Sequence, residues 1–129
     1  DSEMGSWLEA LYGDDVDRAQ QAAAWLGRHG GRQALAALRD ALTHDEERVR
    51  AAAALALATL GDLTALPDLL DRLAHDGASL VRQAAAQSLG FLGSRQAEPA
   101  LEAAAASDPK RRVRQAARIA LAQIRARHP

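Results

Sequence analysis

Histidine and carboxylate side chains are the first to question here, because the chain has no cysteine and these are the remaining groups that commonly ligate metals or move protons near neutral pH. Two His-Asp dipeptides, His44-Asp45 and His75-Asp76, recur 31 residues apart. Equivalent residues on stacked helices stand roughly 8–10 Å apart at the backbone. A single ion would then need both side chains to lean together and further carboxylates to join them. The C-terminal end of a helix favours His for its dipole alone, so both pairs read as helix-end residues, and no metal is expected. The acid pairs Asp14-Asp15 and Glu46-Glu47 fall where helices should start, and there negative charge offsets the macrodipole. The sequence contains no Gly-rich phosphate loop, no Ser nucleophile elbow and no zinc-binding helix motif. No catalytic residue and no cofactor are therefore expected.

Arginine carries the other regular spacing. Val49-Arg50, Val81-Arg82 and Val113-Arg114 recur at intervals of 32 residues, and Asp45, Asp76 and Asp108 precede the arginines by five or six positions. An Arg one residue past a core Val points to the flank of its helix, toward the adjacent unit, where an Asp at a turn can accept its hydrogen bonds. Arg50, Arg82 and Arg114 with Asp45, Asp76 and Asp108 thus predict a structural ladder.

These residues need elements that repeat with them. Gly61 and Gly93 close two units at the same interval, and Gly30 lies 31 residues before Gly61. A fixed period of this size marks an array of stacked supersecondary units. In the third unit Asp62 offers an N-cap, and Leu63, Leu66, Leu69, Leu70 and Leu73 follow at helical spacing. His75-Asp76-Gly77 breaks that helix, and Val81, Ala85, Leu89 and Leu92 mark the next before Gly93 stops it. Pro67 and Pro99 fit the first turns of their helices, where the missing N–H has no intrahelical partner. The pattern predicts helix pairs at 2–12 with 15–29, 31–42 with 45–60, 62–74 with 78–92, and 94–106 with 109–127, in one domain over 1–129. Short connections make neighbouring helices antiparallel.

The copies Asp45…Val49-Arg50-Ala51-Ala52-Ala53…Leu60-Gly61-Asp62 and Val81-Arg82-Gln83-Ala84-Ala85-Ala86…Leu89-Gly90-Phe91-Leu92-Gly93 resemble HEAT repeats, in the short variety named after phycobilisome lyases. Arg18–Gly30 is a weaker copy. The rival repeats lack their marks, for neither Thr-Pro-Leu-His nor Trp-x-x-Leu-Gly-x-x-Tyr occurs. The resemblance implies an all-α fold, an α-solenoid of about four helix pairs wound as a right-handed α-α superhelix, with second helices lining the concave face. One HEAT-like family hydroxylates a protein lysine with a di-iron centre held by His-Glu pairs, and this chain has no His-Glu dipeptide.

On α-helical phase, the stripe opposite the core positions of the last helix is Arg111, Gln115, Arg118, Ala122 and Arg125. Its upstream equivalents are Gln20 and Ala23, then Glu47, Ala51 and Ala54, then Ser79, Gln83 and Ala86. The expected inner surface is smooth, mostly uncharged and basic at its C-terminal end. Its expected partner-binding residues are Gln20, Gln83, Arg111, Gln115, Arg118 and Arg125.

The sequence of 129 residues has a net charge of −1 and few aromatic residues. That disfavours a general polyanion binder, although Lys110, Arg111, Arg112, Arg114, Arg118, Arg125 and Arg127 cluster at one end, and Asp1, Glu3, Glu9, Asp14 and Asp15 at the other. Trp7, Leu8, Leu11 and Tyr12 give the first helix an apolar face. No stretch approaches the ~20 apolar residues of a membrane span, and no basic-then-apolar leader pattern is present. The resulting expectation is a monomeric, cytoplasmic, non-enzymatic scaffold that takes another protein or an acidic peptide segment on its concave face. The resemblance also implies, as an alternative, an accessory subunit of a bilin-lyase-like complex. Nucleic-acid binding through the basic last helix is the third reading.

Overall fold

The computed structural model describes residues 2–129; Asp1, counted above among the acids, lies outside them. Eight α-helices follow one another: α1 Ser2–Tyr12, α2 Val16–His29, α3 Gly31–Ala41, α4 Glu47–Leu60, α5 Leu66–His75, α6 Ser79–Leu92, α7 Glu98–Ser107 and α8 Arg111–Arg127. There is no strand among the described residues, and the chain is an all-α solenoid.

Local chemistry sets the helix ends. The Asp62 and Ser94 side chains accept from the amides of Thr64 and Gln96. Each opens a short 3-10 turn, Leu63–Ala65 or Arg95–Ala97, before α5 and α7 begin with Pro67 and Pro99 in their first turns. Asp62 therefore caps the 3-10 turn that leads into α5, not α5 itself. Gly61 and Gly93 end α4 and α6 at φ +80° and +78°, a left-handed conformation that a Cβ disfavours.

The two layers pack differently. The even-numbered helices stack closely in order, α2 on α4, α4 on α6 and α6 on α8, whereas the odd-numbered ones touch one another sparsely. Small residues allow the close layer: a Cβ added at Gly27 would come within 2.9 Å of the Ala56 Cβ, and one at Gly90 within 2.7 Å of Ala120. Close approach in one layer and splay in the other bend the stack, so the open side of the even-numbered helices is the inner, concave one. The core runs the length of the stack between the layers, with Leu26, Leu38, Val49, Leu57, Leu69, Val81, Leu89, Leu101, Val113 and Ile124 all buried.

Candidate functional site: the inner face and the ladder behind it

The ladder fixes how successive units sit. Arg50 donates from Nε and Nη2 to the two carboxylate oxygens of Asp76 at 3.0 and 3.1 Å, and from Nη1 to the backbone oxygens of His44 and Asp45. Arg82 repeats this with Asp108 at 2.9 and 3.3 Å, and with the backbone oxygen of Asp76 at 2.9 Å. Each Asp also accepts the amide two residues on, Ala78 or Lys110, at 2.9 Å. Burial works to raise both carboxyl pKa values. The hydrogen bonds from the guanidinium and the amide outweigh it, and both carboxyls sit below the ordinary carboxylate range.

Asp45 is not part of this set as a side chain. It is exposed and lends only its backbone oxygen to Arg50. His44 holds the position of Asp76 and Asp108, six residues before its Arg, and its Nδ1 accepts the Glu46 amide at 3.0 Å as those aspartates accept theirs. The true interval is thus 32, His44 to Asp76, and not the 31 that pairs His with His. At the other end Arg114 donates to the Asp108 backbone oxygen at 2.7 Å and holds no carboxylate among the described residues.

No three His, Asp or Glu side chains converge as a metal site among the described residues. With His44 Nδ1 already accepting an amide, the residues present do not fit a di-iron centre.

The inner surface differs from the stripe expected for it. Ala23, Ala54 and Ala86 are fully buried and Ala51 nearly so, because that stripe is the flank on which the next even-numbered helix packs. Ser88 Oγ donates to the Ala54 backbone oxygen at 2.7 Å across this contact. Gln20 and Gln83 are half-buried on the same flank. On α8 the flank has no following helix among the described residues, so Arg111, Gln115, Arg118 and Arg125 are exposed there. Arg118 reaches the Ala105 backbone oxygen at 3.4 Å, and Arg125 pairs with Glu98 and Glu102 at 3.2 and 3.0 Å. Both therefore lie against α7, not on the concave side. Arg stands at 118 where the other units have Ala54 and Ala86, so this flank is polar where theirs are apolar.

The open stripe is rotated by one residue, about 100° of helix. It is read as Arg48, Leu55 and Thr59 on α4, Leu80, Gln87 and Phe91 on α6, and Arg112, Ile119 and Gln123 on α8. Four of the six exposed large apolar side chains of the described residues lie on it: Leu55, Leu80, Phe91 and Ile119, the last two 59% and 61% exposed. Two furrows cross it. One, about 250 Å³, runs between α4 and α6 and is lined by Leu55, Ala58, Thr59, Gln87, Ser88 and Phe91. The other, about 340 Å³, runs between α6 and α8 and is lined by Ser79, Leu80, Gln83, Lys110, Arg111 and Arg112. Gln83 and Arg111 thus come together, while Gln20, Arg118 and Arg125 do not join them. The residues missed by the sequence reading are Leu55, Leu80, Phe91 and Ile119. Their signal was present, since Leu55, Gln87 and Ile119 recur at 32, but hydrophobicity favours assigning such residues to the core.

Two further features lie outside this face. A cavity of about 440 Å³ opens between α5 and α7, walled by Leu73, Ala100 and Ala104 and floored by the Arg82–Asp108 pair. At the first unit Trp7 stacks on Trp25 at 6.0 Å, Arg18 covers Trp7 at 4.5 Å, and Leu11 is buried while Tyr12 is exposed with its hydroxyl on Asp40.

The sequence profile of the HEAT repeats matches residues 6–90 and 65–122, and the chain belongs to the HEAT-repeat family. Among solved structures it is similar to human deoxyhypusine hydroxylase in complex with glycerol, at TM-score 0.81 and 28% identity over 95% of this chain and 43% of that one. It is also similar to the complex of CpcE and CpcF of phycocyanin lyase from Nostoc sp. PCC7120, at TM-score 0.76 and 31% identity over 93% of this chain and 52% of that one. The chain thus spans about half the length of these relatives or less. No curated protein matches the sequence. No helix of the described residues is long and apolar enough to cross a membrane.

Proposed function

We propose that this chain is a non-enzymatic docking scaffold whose inner face, α4, α6 and α8, receives a segment of another protein. The observation that carries this reading is the open stripe of Leu55, Leu80, Phe91 and Ile119. Folding leaves these side chains in water although the same helices bury much smaller alanines. Large apolar side chains left exposed on one face beside polar groups are characteristic of a protein-contact surface. Of the residues expected to bind, Gln83 and Arg111 serve at the α6–α8 furrow. Gln115, Arg118 and Arg125 lie on the outer flank of α8, and Gln20 lies on the packing flank of α2.

The test is site-specific photocrosslinking from positions 91 and 119 on the inner face, with position 71 on the outer layer as control. Crosslinked protein from an extract of the source organism should form at the inner positions and not at 71. Adducts forming chiefly at 71 would move the working surface to the outer layer.

A second reading is a role like that of a phycocyanin lyase subunit, favoured by the 31% identity to the CpcE and CpcF complex. Free bilin added to the protein separates the two readings. A shift in its visible absorption that Phe91→Ala abolishes supports chromophore handling, and an unchanged spectrum supports the scaffold.

A further inference from the structure

The two furrows differ in chemistry, and the difference specifies what the docked segment must carry. Among the described residues the side chains of Lys110, Arg111 and Arg112 make no hydrogen bond or ion pair, unlike Arg48, Arg50, Arg82 and Arg125. No acidic side chain lines their furrow, where Ser79 and Gln83 supply further polar groups and Leu80 an apolar wall. The α4–α6 furrow is lined by Leu55, Phe91 and Ala58 and contains no charge.

We infer that the partner segment is bipartite, with a large apolar residue seated against Leu55 and Phe91 and a run of carboxylates over Lys110, Arg111 and Arg112. This deepens the docking reading and rests on it. Unpaired cations at the edge of an apolar surface select a segment of opposite charge and steer its approach.

The separation of the furrows sets the spacing in the segment. Their linings on α6 centre near Ser88 and near Leu80, eight residues or roughly 12 Å along the axis. They are one interhelical distance apart sideways, roughly 8–10 Å. The diagonal of roughly 15 Å equals about four to five residues of extended chain. Nucleic acid fits less well, because Phe91 is the only aromatic residue on the face among the described residues and single strands are held by successive stacking platforms.

The test is NMR titration of 15N-labelled protein with synthetic peptides that join a Leu-Phe pair to a Glu-Glu-Glu tract. The Gly-Ser spacer is about four residues, none, or about ten. The four-residue spacer should shift amides near Gln87 and Phe91 together with those near Leu80, Gln83 and Arg112. Linking the two halves raises the local concentration of the second, so this peptide should bind roughly tenfold tighter than either half alone or than the peptide without a spacer. Lys110→Glu with Arg112→Glu should abolish the shifts of the acidic half and leave those at Phe91.

If the apolar half shifts the α4–α6 furrow while Glu and Lys tracts act alike, the acidic specification is overturned and the docking reading stands. If neither half shifts either furrow, both fall. A single-stranded oligonucleotide that binds Lys110–Arg112 more tightly than the Glu tract would overturn the inference in favour of nucleic acid.

Discussion

Arg50 and Asp76 are 26 residues apart in sequence and face each other as a planar fork on a carboxylate, with the Asp76 side chain 1% exposed. Asp76 also accepts from Arg72 and from its own turn at Ala78. One buried group thus joins the second unit to the third and shapes the loop that starts α6. Arg82 and Asp108 do the same one unit later.

Arg82→Ala should lower unfolding free energy by about 1–3 kcal/mol, since it strands a buried carboxylate and leaves the Asp76 backbone oxygen without its donor. Arg114→Ala removes a single bond to a backbone oxygen and should cost less. Urea denaturation of the two variants beside wild type measures this, and equal midpoints for all three would count against the ladder as a structural element.

The same pairs set an acid limit. The Asp76 and Asp108 carboxyls lie below the ordinary value of 3.8 in the folded chain. A carboxyl with a depressed folded pKa stabilises fully above its unfolded pKa, and that contribution disappears as pH falls through the folded value. Stability should therefore hold down to about pH 4 and decline below it. Asp76→Asn should be less stable at neutral pH and show a flatter decline in acid, as followed by thermal melts across that range. An acid limb unchanged from wild type would assign the decline to other groups.

The Arg50–Asp76 and Arg82–Asp108 rungs were legible in the sequence, though not the places of Asp45 and Arg114, because Val-Arg at a constant interval puts the Val inward and the Arg on the flank. The solenoid was legible for the same reason. The inner surface was not, because Ala does not declare its side. Ala51, Ala54 and Ala86 look like a smooth exposed stripe, yet they are buried where backbones approach closely. Leu55, Phe91 and Ile119 look like core and are exposed. Which side of an Ala-rich helix is open depends on where its neighbour packs, and that is a tertiary property. The place of His44 was hidden similarly, since its equivalence to Asp76 lies in the amide it accepts and not in its residue type.

Gly90→Ala tests the close layer. The added Cβ would lie 2.7 Å from both Cα and Cβ of Ala120, so α6 and α8 must separate. Overpacking of this kind costs about 1–3 kcal/mol, and a chemical denaturation curve reads it. A gain in stability from the better helix former would mean that the two helices can separate freely.

The fourth unit should open first. Leu101 is the one buried residue of α7, whereas α5 buries Leu66, Leu69 and Leu73. The missing bulk leaves the cavity between α5 and α7. At ~25 cal/mol per Å² of apolar burial α7 is held more weakly than α5. Amide hydrogen exchange should be faster in 98–107 than in 47–60 or 79–92. Equal protection in all three would show that the bonds of Arg118 and Arg125 to α7 compensate for the lost packing.

The open stripe and the outer flank differ by one residue on α8, so Ile119 and Arg118 separate the two candidate surfaces. Ile119 on α8 and Phe91 on α6 are both exposed, at 61% and 59%. Ile119→Ser with Phe91→Ser removes apolar surface already in water, so melting should move by little, about 0.5 kcal/mol or less per site. Binding of a docked partner should weaken by roughly 1–2 kcal/mol for each truncated anchor, about five- to thirtyfold in affinity. Arg118→Glu faces α7, where Glu98 and Glu102 already lie, and should disturb the α7–α8 contact while leaving that affinity in place. Calorimetric titration of both variants with one partner decides between the surfaces. Loss of affinity in Arg118→Glu with full affinity in the serine pair would put the partner on the outer flank of α8, and the inner face would then be only a by-product of curvature.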